Sequence, residues 1–175
     1  MLYYPRKQPK NATLLSVILY MGAAAMFLIS ELAAPRLLWQ LFALILVSVG
    51  IFFTARYLLT DYKYVIKDSE QSENQSKFTI IKVNGKREAI MATFNLVDAY
   101  SLERCKKLRA FEKKHGKVDK FYGYCSNFSS PDTHILAINF NNMKIALAIE
   151  LSSEFAYELG ARITRQTDES KTERR

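Results

Sequence analysis

LLSVILYMGAAAMFLIS (residues 14–30) and LLWQLFALILVSVGIFFTA (residues 37–55) decide how this chain is organised, because neither run contains a charged side chain. A helix of about 20 apolar residues matches a hydrocarbon layer about 30 Å thick. Leu32 to Arg36 separate the two runs and Pro35 opens the second, so the pattern predicts a transmembrane hairpin with helices over about 12–31 and 37–59. Ala23-Ala24-Ala25 and Ala33-Ala34 imitate a signal-peptide cleavage site, yet a second apolar run follows at once and argues for retention of both helices. The mean hydropathy of −0.08 therefore averages an apolar hairpin with a polar domain.

Basic residues near the ends of spanning helices are retained on the cytoplasmic side. Arg6, Lys7 and Lys10 precede the first helix, and Arg56, Lys63 and Lys67 follow the second, whereas the turn offers only Arg36 against Glu31. The expectation is a multi-pass plasma-membrane protein with both termini cytoplasmic. It divides into an N-terminal segment (1–11), the hairpin (12–59), a cytoplasmic domain (60–166) and a disordered charged tail (167–175). Gln40 is the one strongly polar side chain within the apolar runs, so no series of intramembrane ionisable groups points to transport. Gly22, Ala23, Ala24 and Ala25, with Ala43 and Gly50 opposite, offer small surfaces on which the two helices can pack.

After Thr60 the apolar period shortens to two. Tyr62, Tyr64 and Ile66 read as one strand and residues 68–76 as a mobile polar loop. Phe78 to Val83 and Arg87 to Thr93 read as a hairpin across Asn84-Gly85. Asn95 can cap an amphipathic helix over Leu96 to Lys114, along which Val97, Tyr100, Cys105, Leu108 and Phe111 recur at helical spacing. A strand from Ala99 to Arg104 followed by a basic loop is the weaker alternative, since Tyr100 and Leu102 also fit a period of two. Phe121 to Asn127, Thr133 to Phe140 and Met143 to Glu150 read as three further strands. A last helix is capped by Ser152 or Ser153, with Phe155, Leu159 and Ile163 on one face. The expected class is α+β: a transmembrane hairpin, then a mainly antiparallel domain of about six or seven strands in meanders, closed by a C-terminal helix.

The final strand, tight turn, strand and closing helix resemble the end of the bacterial pleckstrin-homology-like fold. Lys82-Val-Asn-Gly-Lys-Arg87 with Tyr124-Cys-Ser-Asn127 is similar to a group of uncharacterised two-helix membrane proteins from Gram-positive anaerobes. The resemblance implies a pleckstrin-homology-like cytoplasmic domain and carries no activity with it.

The net charge of +8 has a clear local origin in Arg104, Lys106, Lys107, Arg109, Lys113, Lys114, Lys117 and Lys120, offset there by Glu112 and Asp119. These residues are the candidate lipid-binding set. Each basic group near an anionic leaflet is worth about 1 kcal/mol, although such runs are more often a solvated helix face. Nucleic acid is the disfavoured partner, because the expected tether places the bilayer nearby.

Cys125 and His134, read as neighbours around a hairpin, form a candidate thiol and base, with a packed cysteine beside an ordinary histidine as the stronger reading. Two cysteines in a reducing compartment predict neither a disulfide nor a zinc site. His115 beside Gly116 reads as a partner for a helix C-terminus. No phosphate loop, HExxH or acidic metal cluster occurs, so neither catalytic residue, metal nor cofactor is expected. The expected function is a non-catalytic, membrane-anchored binding or scaffold protein that contacts anionic lipid head groups or a membrane or cytoplasmic protein. The alternatives are a thiol enzyme or redox sensor using Cys125 and an accessory subunit of a larger membrane complex.

Overall fold

The computed structural model describes residues 1–5, 9–32, 34–68, 76–105, 107–128 and 130–172, and the side chains of all these except 9, 10 and 167–172. The chain forms two compact units, one of residues 7–61 and the other of residues 1–6 with 62–175. Both ends of the first unit therefore run into the second.

The first unit is a helical hairpin of α1 (Pro9–Leu32) and α2 (Arg36–Phe53), the latter continued by a π-helical turn, Thr54–Leu58. By length and composition both helices are long and apolar enough to cross a membrane. Their shared seam is built from small residues. Ser16, Ala23 and Ser30 are buried at seven-residue intervals on α1, and Ala43 and Gly50 repeat that interval on α2. A seven-residue repeat keeps one stripe of each helix facing its partner, and small side chains let the backbones approach. At Gly50 an added Cβ would lie 2.9 Å from the Tyr20 ring. Tyr20 is held there by a hydroxyl contact of 3.2 Å with Thr54 Oγ1, which in turn lies 3.4 Å from Ser16 Oγ. Glu31 and Arg36 pair at the hairpin tip. The remaining surface is apolar and open, with Leu28 68% and Met21 and Phe52 each 67% exposed. Such a belt needs an apolar surrounding.

The second unit contains two four-stranded sheets. In the first, β1 (Leu2–Tyr3), β2 (Thr60–Asp68), β3 (Ser76–Asn84) and β4 (Arg87–Asn95) lie in sequence order. The alternation of β2 follows from pleat geometry, with Tyr62, Tyr64 and Ile66 buried on one face. Gly85 takes φ +61° in the tight turn between β3 and β4, a conformation open to glycine without a Cβ penalty. β1 comes from the segment ahead of the hairpin. Leu2 pairs with Val65 and Tyr3 with Tyr64, and the Ile66 N–H donates to the Met1 carbonyl at 2.8 Å.

A short 3-10 turn, Leu96–Asp98, leads into β5 (Ala99–Arg104), followed by α3 (Leu108–His115), β6 (Lys120–Gly123), β7 (Thr133–Phe140), β8 (Met143–Glu150) and α4 (Ser153–Thr172). The second sheet has the order β5-β7-β8-β6, in which β6 runs parallel to β8 and the other pairs are antiparallel. Both faces of this sheet are covered. Leu136, Ile138, Leu147 and Ile149 join Tyr64, Phe78 and Ile80 of the first sheet and Phe155, Leu159 and Ile163 of α4 in the main core. Ile135, Ala137 and Ala146 face the opposite way and pack with Phe111 of α3 and Val118.

The α+β class is observed, with eight strands among the described residues where about six or seven were expected. The helix expected over Leu96 to Lys114 is not formed. Residues 99–104 pair with β7 from Ala99 opposite Ile138 to Arg104 opposite His134, and among the described residues the α-helix is confined to Leu108–His115, with Leu96–Asp98 a 3-10 turn. Ladder formation with β7 outweighs a helical period that a two-residue period fitted nearly as well. The strand expected over Phe121 to Asn127 is the shorter β6. The backbone of α4 extends to Thr172, past the point where a disordered tail was expected. Of the mobile loop expected over residues 68–76, Asp68 ends β2 and Ser76 begins β3, and residues 69–75 lie outside the described residues.

Leu159 is fully buried where the two sheets meet α4. Leu159→Ala is expected to cost about 2–5 kcal/mol, read from denaturant unfolding in mild detergent.

Candidate functional site

The basic segment is divided among three elements. Arg104 ends β5; Arg109, Lys113 and Lys114 lie on α3; Lys107 occupies the position before that helix; and Lys117 and Lys120 follow it. Lys106 lies outside the described residues. The single helical face expected for this set is therefore replaced by an exposed stretch around a short helix. α3 forms because Phe111 enters the smaller core beside Val118, with Leu108 packed against it, while Lys113, Lys114 and His115 complement the negative end of the helix.

The acidic residues near this stretch are already engaged. Glu112 Oε1 accepts the Val118 N–H at 3.2 Å, and Asp119 Oδ2 accepts the Lys144 N–H at 2.8 Å. Glu103 pairs with Lys114 and lies 3.1 Å from His115 Nε2. The Lys114 hydrogen bond is the main reason that the Glu103 carboxyl sits below its ordinary range, and the same contact raises the lysine. Lys107, Arg109, Lys113, Lys117 and Lys120 are exposed and make no ion pair among the described residues. Phe121 and Tyr122 continue the stretch as exposed aromatic rings on the outer strand β6.

Cys125 and His134 are not brought together as hairpin neighbours. β6 and β7 are not hairpin neighbours, because β8 lies between them, and Cys125 follows the end of β6. Neither cysteine is in a disulfide, and both are half-buried. His134 is 8% exposed, and its Nδ1 makes a 2.9 Å hydrogen bond with the Asp132 carbonyl. Burial, reinforced by the nearby Arg104 charge, lowers its pKa.

The turn containing Cys125 is held by a group that the sequence did not single out. Glu150 is 2% exposed, at the end of β8. It accepts the Ser126 N–H at 2.9 Å, the Asn127 N–H at 3.2 Å and the Asn127 side-chain amide at 3.2 Å. The Tyr64 hydroxyl completes the arrangement by accepting the Glu150 N–H at 3.1 Å and donating to the Tyr124 carbonyl at 2.7 Å. This is a clamp on the loop. Burial raises the Glu150 carboxyl above its ordinary range, while the donors from Ser126, Ser130 and Asn127 pull it back.

Arg104 and His134, selected by sequence for unrelated reasons, prove to be register partners on β5 and β7. Both line a trough of about 710 Å³ whose other wall is α4, including Ala156, Gly160 and Arg165. No group of three or more His, Cys, Asp or Glu side chains suited to a metal occurs among the described residues. No family model, curated protein or solved structure matches this chain.

The loop clamp yields a stability test. Glu150→Ala leaves two buried N–H groups without their acceptor and is expected to cost about 1–3 kcal/mol per orphaned donor at most, seen as a lower thermal midpoint. The raised carboxyl binds its proton more tightly when folded, so its contribution is full below the unfolded value of about 4.3 and declines as pH rises through the folded value. His134 acts in the opposite direction. Its lowered pKa favours the neutral folded form, so its contribution is lost as pH falls below about 6.5. In pH titrations of the thermal midpoint, Glu150→Gln is expected to flatten the first slope and His134→Gln the second.

Proposed function

We propose that this is a non-catalytic, membrane-anchored binding or scaffold protein of the bacterial plasma membrane. Its pleckstrin-homology-like domain lies on the cytoplasmic side and engages anionic lipid head groups through the residue 107–122 stretch. The observation that carries this reading is charge without internal compensation: the acids of the stretch bond inward, while Lys107, Arg109, Lys113, Lys117 and Lys120 remain exposed beside Phe121 and Tyr122. Cations attract an anionic leaflet within a Debye length of about 8 Å, and aromatic rings suit the layer between head groups and acyl chains.

Membrane anchoring is supported by the two apolar helices and their exposed surface. A return across the membrane is supported by chain order, since residues before α1 and after α2 share one sheet. The cytoplasmic orientation rests on the basic residues that flank the hairpin. Two sheets closed by a C-terminal helix agree with the pleckstrin-homology-like resemblance. A thiol enzyme or redox sensor at Cys125 is the weaker alternative, because the hairpin expected to bring it beside His134 does not form: β8 lies between β6 and β7.

A second reading, an accessory subunit of a larger membrane complex, is favoured by a groove of about 790 Å³ along the hairpin. Its wall includes Ala23, Ala24, Ala43 and the polar Gln40. Small residues with one amide are a common docking surface between membrane helices. Stable co-purification of a membrane protein in mild detergent, lost in Gln40→Leu, would support it.

The lipid reading is tested with the full chain in nanodiscs. Hydrogen exchange over residues 107–122 is expected to slow when phosphatidylserine is added to phosphatidylcholine. The protection should disappear in Arg109→Glu/Lys113→Glu/Lys117→Glu and weaken steeply with added salt. Equal exchange in both lipids would sink the proposal.

A further inference from the structure

A second basic surface lies on the first sheet, apart from the lysine-rich stretch. β4 is an outer strand of that sheet, and Lys86 in the β3–β4 turn and Arg87 to Met91 along β4 are all exposed. Lys82, half-buried on β3, is the register partner of Ala89. Lys82, Lys86 and Arg87 make no ion pair among the described residues, whereas Glu88, the acid next to them on β4, is paired with Lys63 of β2. The three cations are therefore uncommitted.

Two apolar side chains follow them, Ile90 at 70% and Met91 at 44% exposure. Ile80 pairs with Ala92 and Ile81 with Ile90, so Met91 is the extra residue of a bulge. In a regular ladder successive side chains alternate between faces; the bulge breaks that alternation and leaves two consecutive apolar groups exposed beside the cations. It also interrupts the outward row of backbone groups, which disfavours addition of a partner strand at this edge.

Strand order fixes which end of the sheet carries this group. Ser76, the first residue of β3, donates to Asp68 Oδ1, on the last residue of β2, at 2.7 Å. The β3–β4 turn thus lies at the opposite end, where β2 begins. That beginning, Thr60, comes one residue after the helical turn Thr54–Leu58 that closes the helical hairpin.

We propose that the β3–β4 turn and the edge that follows it form a second contact with the anionic leaflet, with Lys82, Lys86 and Arg87 against lipid phosphates and Ile90 and Met91 at the boundary with the acyl chains. The inference rests on the reading of a domain tethered at an anionic membrane surface and adds a surface to it. With the helices in a bilayer, Leu59 alone links the last helical turn to β2, and one residue spans at most about 3.6 Å, so the tether favours the bilayer over a soluble anion. Aliphatic side chains beside cations suit an interface of phosphates and hydrocarbon, whereas single-stranded nucleic acid is gripped by stacking on aromatic rings.

The test follows hydrogen exchange over residues 84–92 of the full chain in nanodiscs. Exchange is expected to slow when phosphatidylserine is added to phosphatidylcholine and to recover with added salt. The protection should be lost in Lys86→Glu/Arg87→Glu and reduced in Ile90→Thr, which keeps the charge and a β-branched side chain. Both variants alter exposed groups, so an unchanged thermal midpoint separates loss of contact from loss of fold. Protection over residues 107–122 should survive in both. A response at residues 84–92 without one at residues 107–122 would support this contact and overturn the earlier one, so the two readings fail separately. The proposal is overturned if residues 84–92 exchange equally in both lipids or if Lys86→Glu/Arg87→Glu keeps the protection. Slowing produced by single-stranded DNA in neutral nanodiscs, and not by phosphatidylserine, would overturn it too and assign the edge to nucleic acid.

Discussion

Two sheets and one closing helix must share a single apolar interior, and that constraint governs the second unit. Phe155, Leu159 and Ile163 of α4 meet Tyr64, Phe78 and Ile80 of one sheet and Leu136, Leu147 and Ile149 of the other. A helix that covers two sheets at once cannot drift along either. Its register fixes where the large side chains end and where the small ones, Ala156 and Gly160, leave space beside β5. The second sheet adds its own demand, because the alternate residues Ile135, Ala137 and Ala146 also need cover. α3 answers it with little more than Leu108 and Phe111, which is why so short and basic a helix is retained.

Polar chemistry follows the same division between inside and outside. Glu150 is buried because it has backbone donors to satisfy, and its raised pKa reflects the cost of that position. Glu103, Glu112 and Asp119 bind nearby donors within the fold. The excess positive charge then has no internal destination. What distinguishes residues 107–122 is less their number of lysines than the prior commitment of the neighbouring carboxylates.

The hairpin was legible in the sequence because exclusion of charge over two long runs has few other physical causes. Strands β2, β3, β4, β7 and β8 were legible because alternation and turn residues agreed, as in Tyr62, Tyr64 and Ile66 or in Asn84-Gly85. Residues 96–114 were not, since Tyr100 and Leu102 satisfy both periods and only the distant partner β7 decides between them. The parallel pairing of β6 with β8 was hidden for a related reason. It depends on a connection from β6 to β7 that passes β8, whereas hairpin logic makes β6 and β7 neighbours and so places Cys125 beside His134. Glu150 gave no signal because a carboxylate at a strand end looks solvated until the Ser126 and Asn127 backbone is seen to turn over it. The trough was equally silent, for it is defined by side chains that are absent.

The pairing of Leu2 and Tyr3 with Tyr64 and Val65 has a consequence for biogenesis. These strands flank the hairpin in sequence, so the segment ahead of the hairpin waits for both helices to be completed before its ladder can form. Closing so long a loop costs entropy that grows only slowly with its length, but it requires both ends to be in the same compartment. In a membrane, a chain that inserted only one helix would strand Tyr3 away from Tyr64 and Phe155, leaving the edge of the first sheet bare. The two-residue strand thus completes the edge of the first sheet only where the segments before and after the hairpin meet.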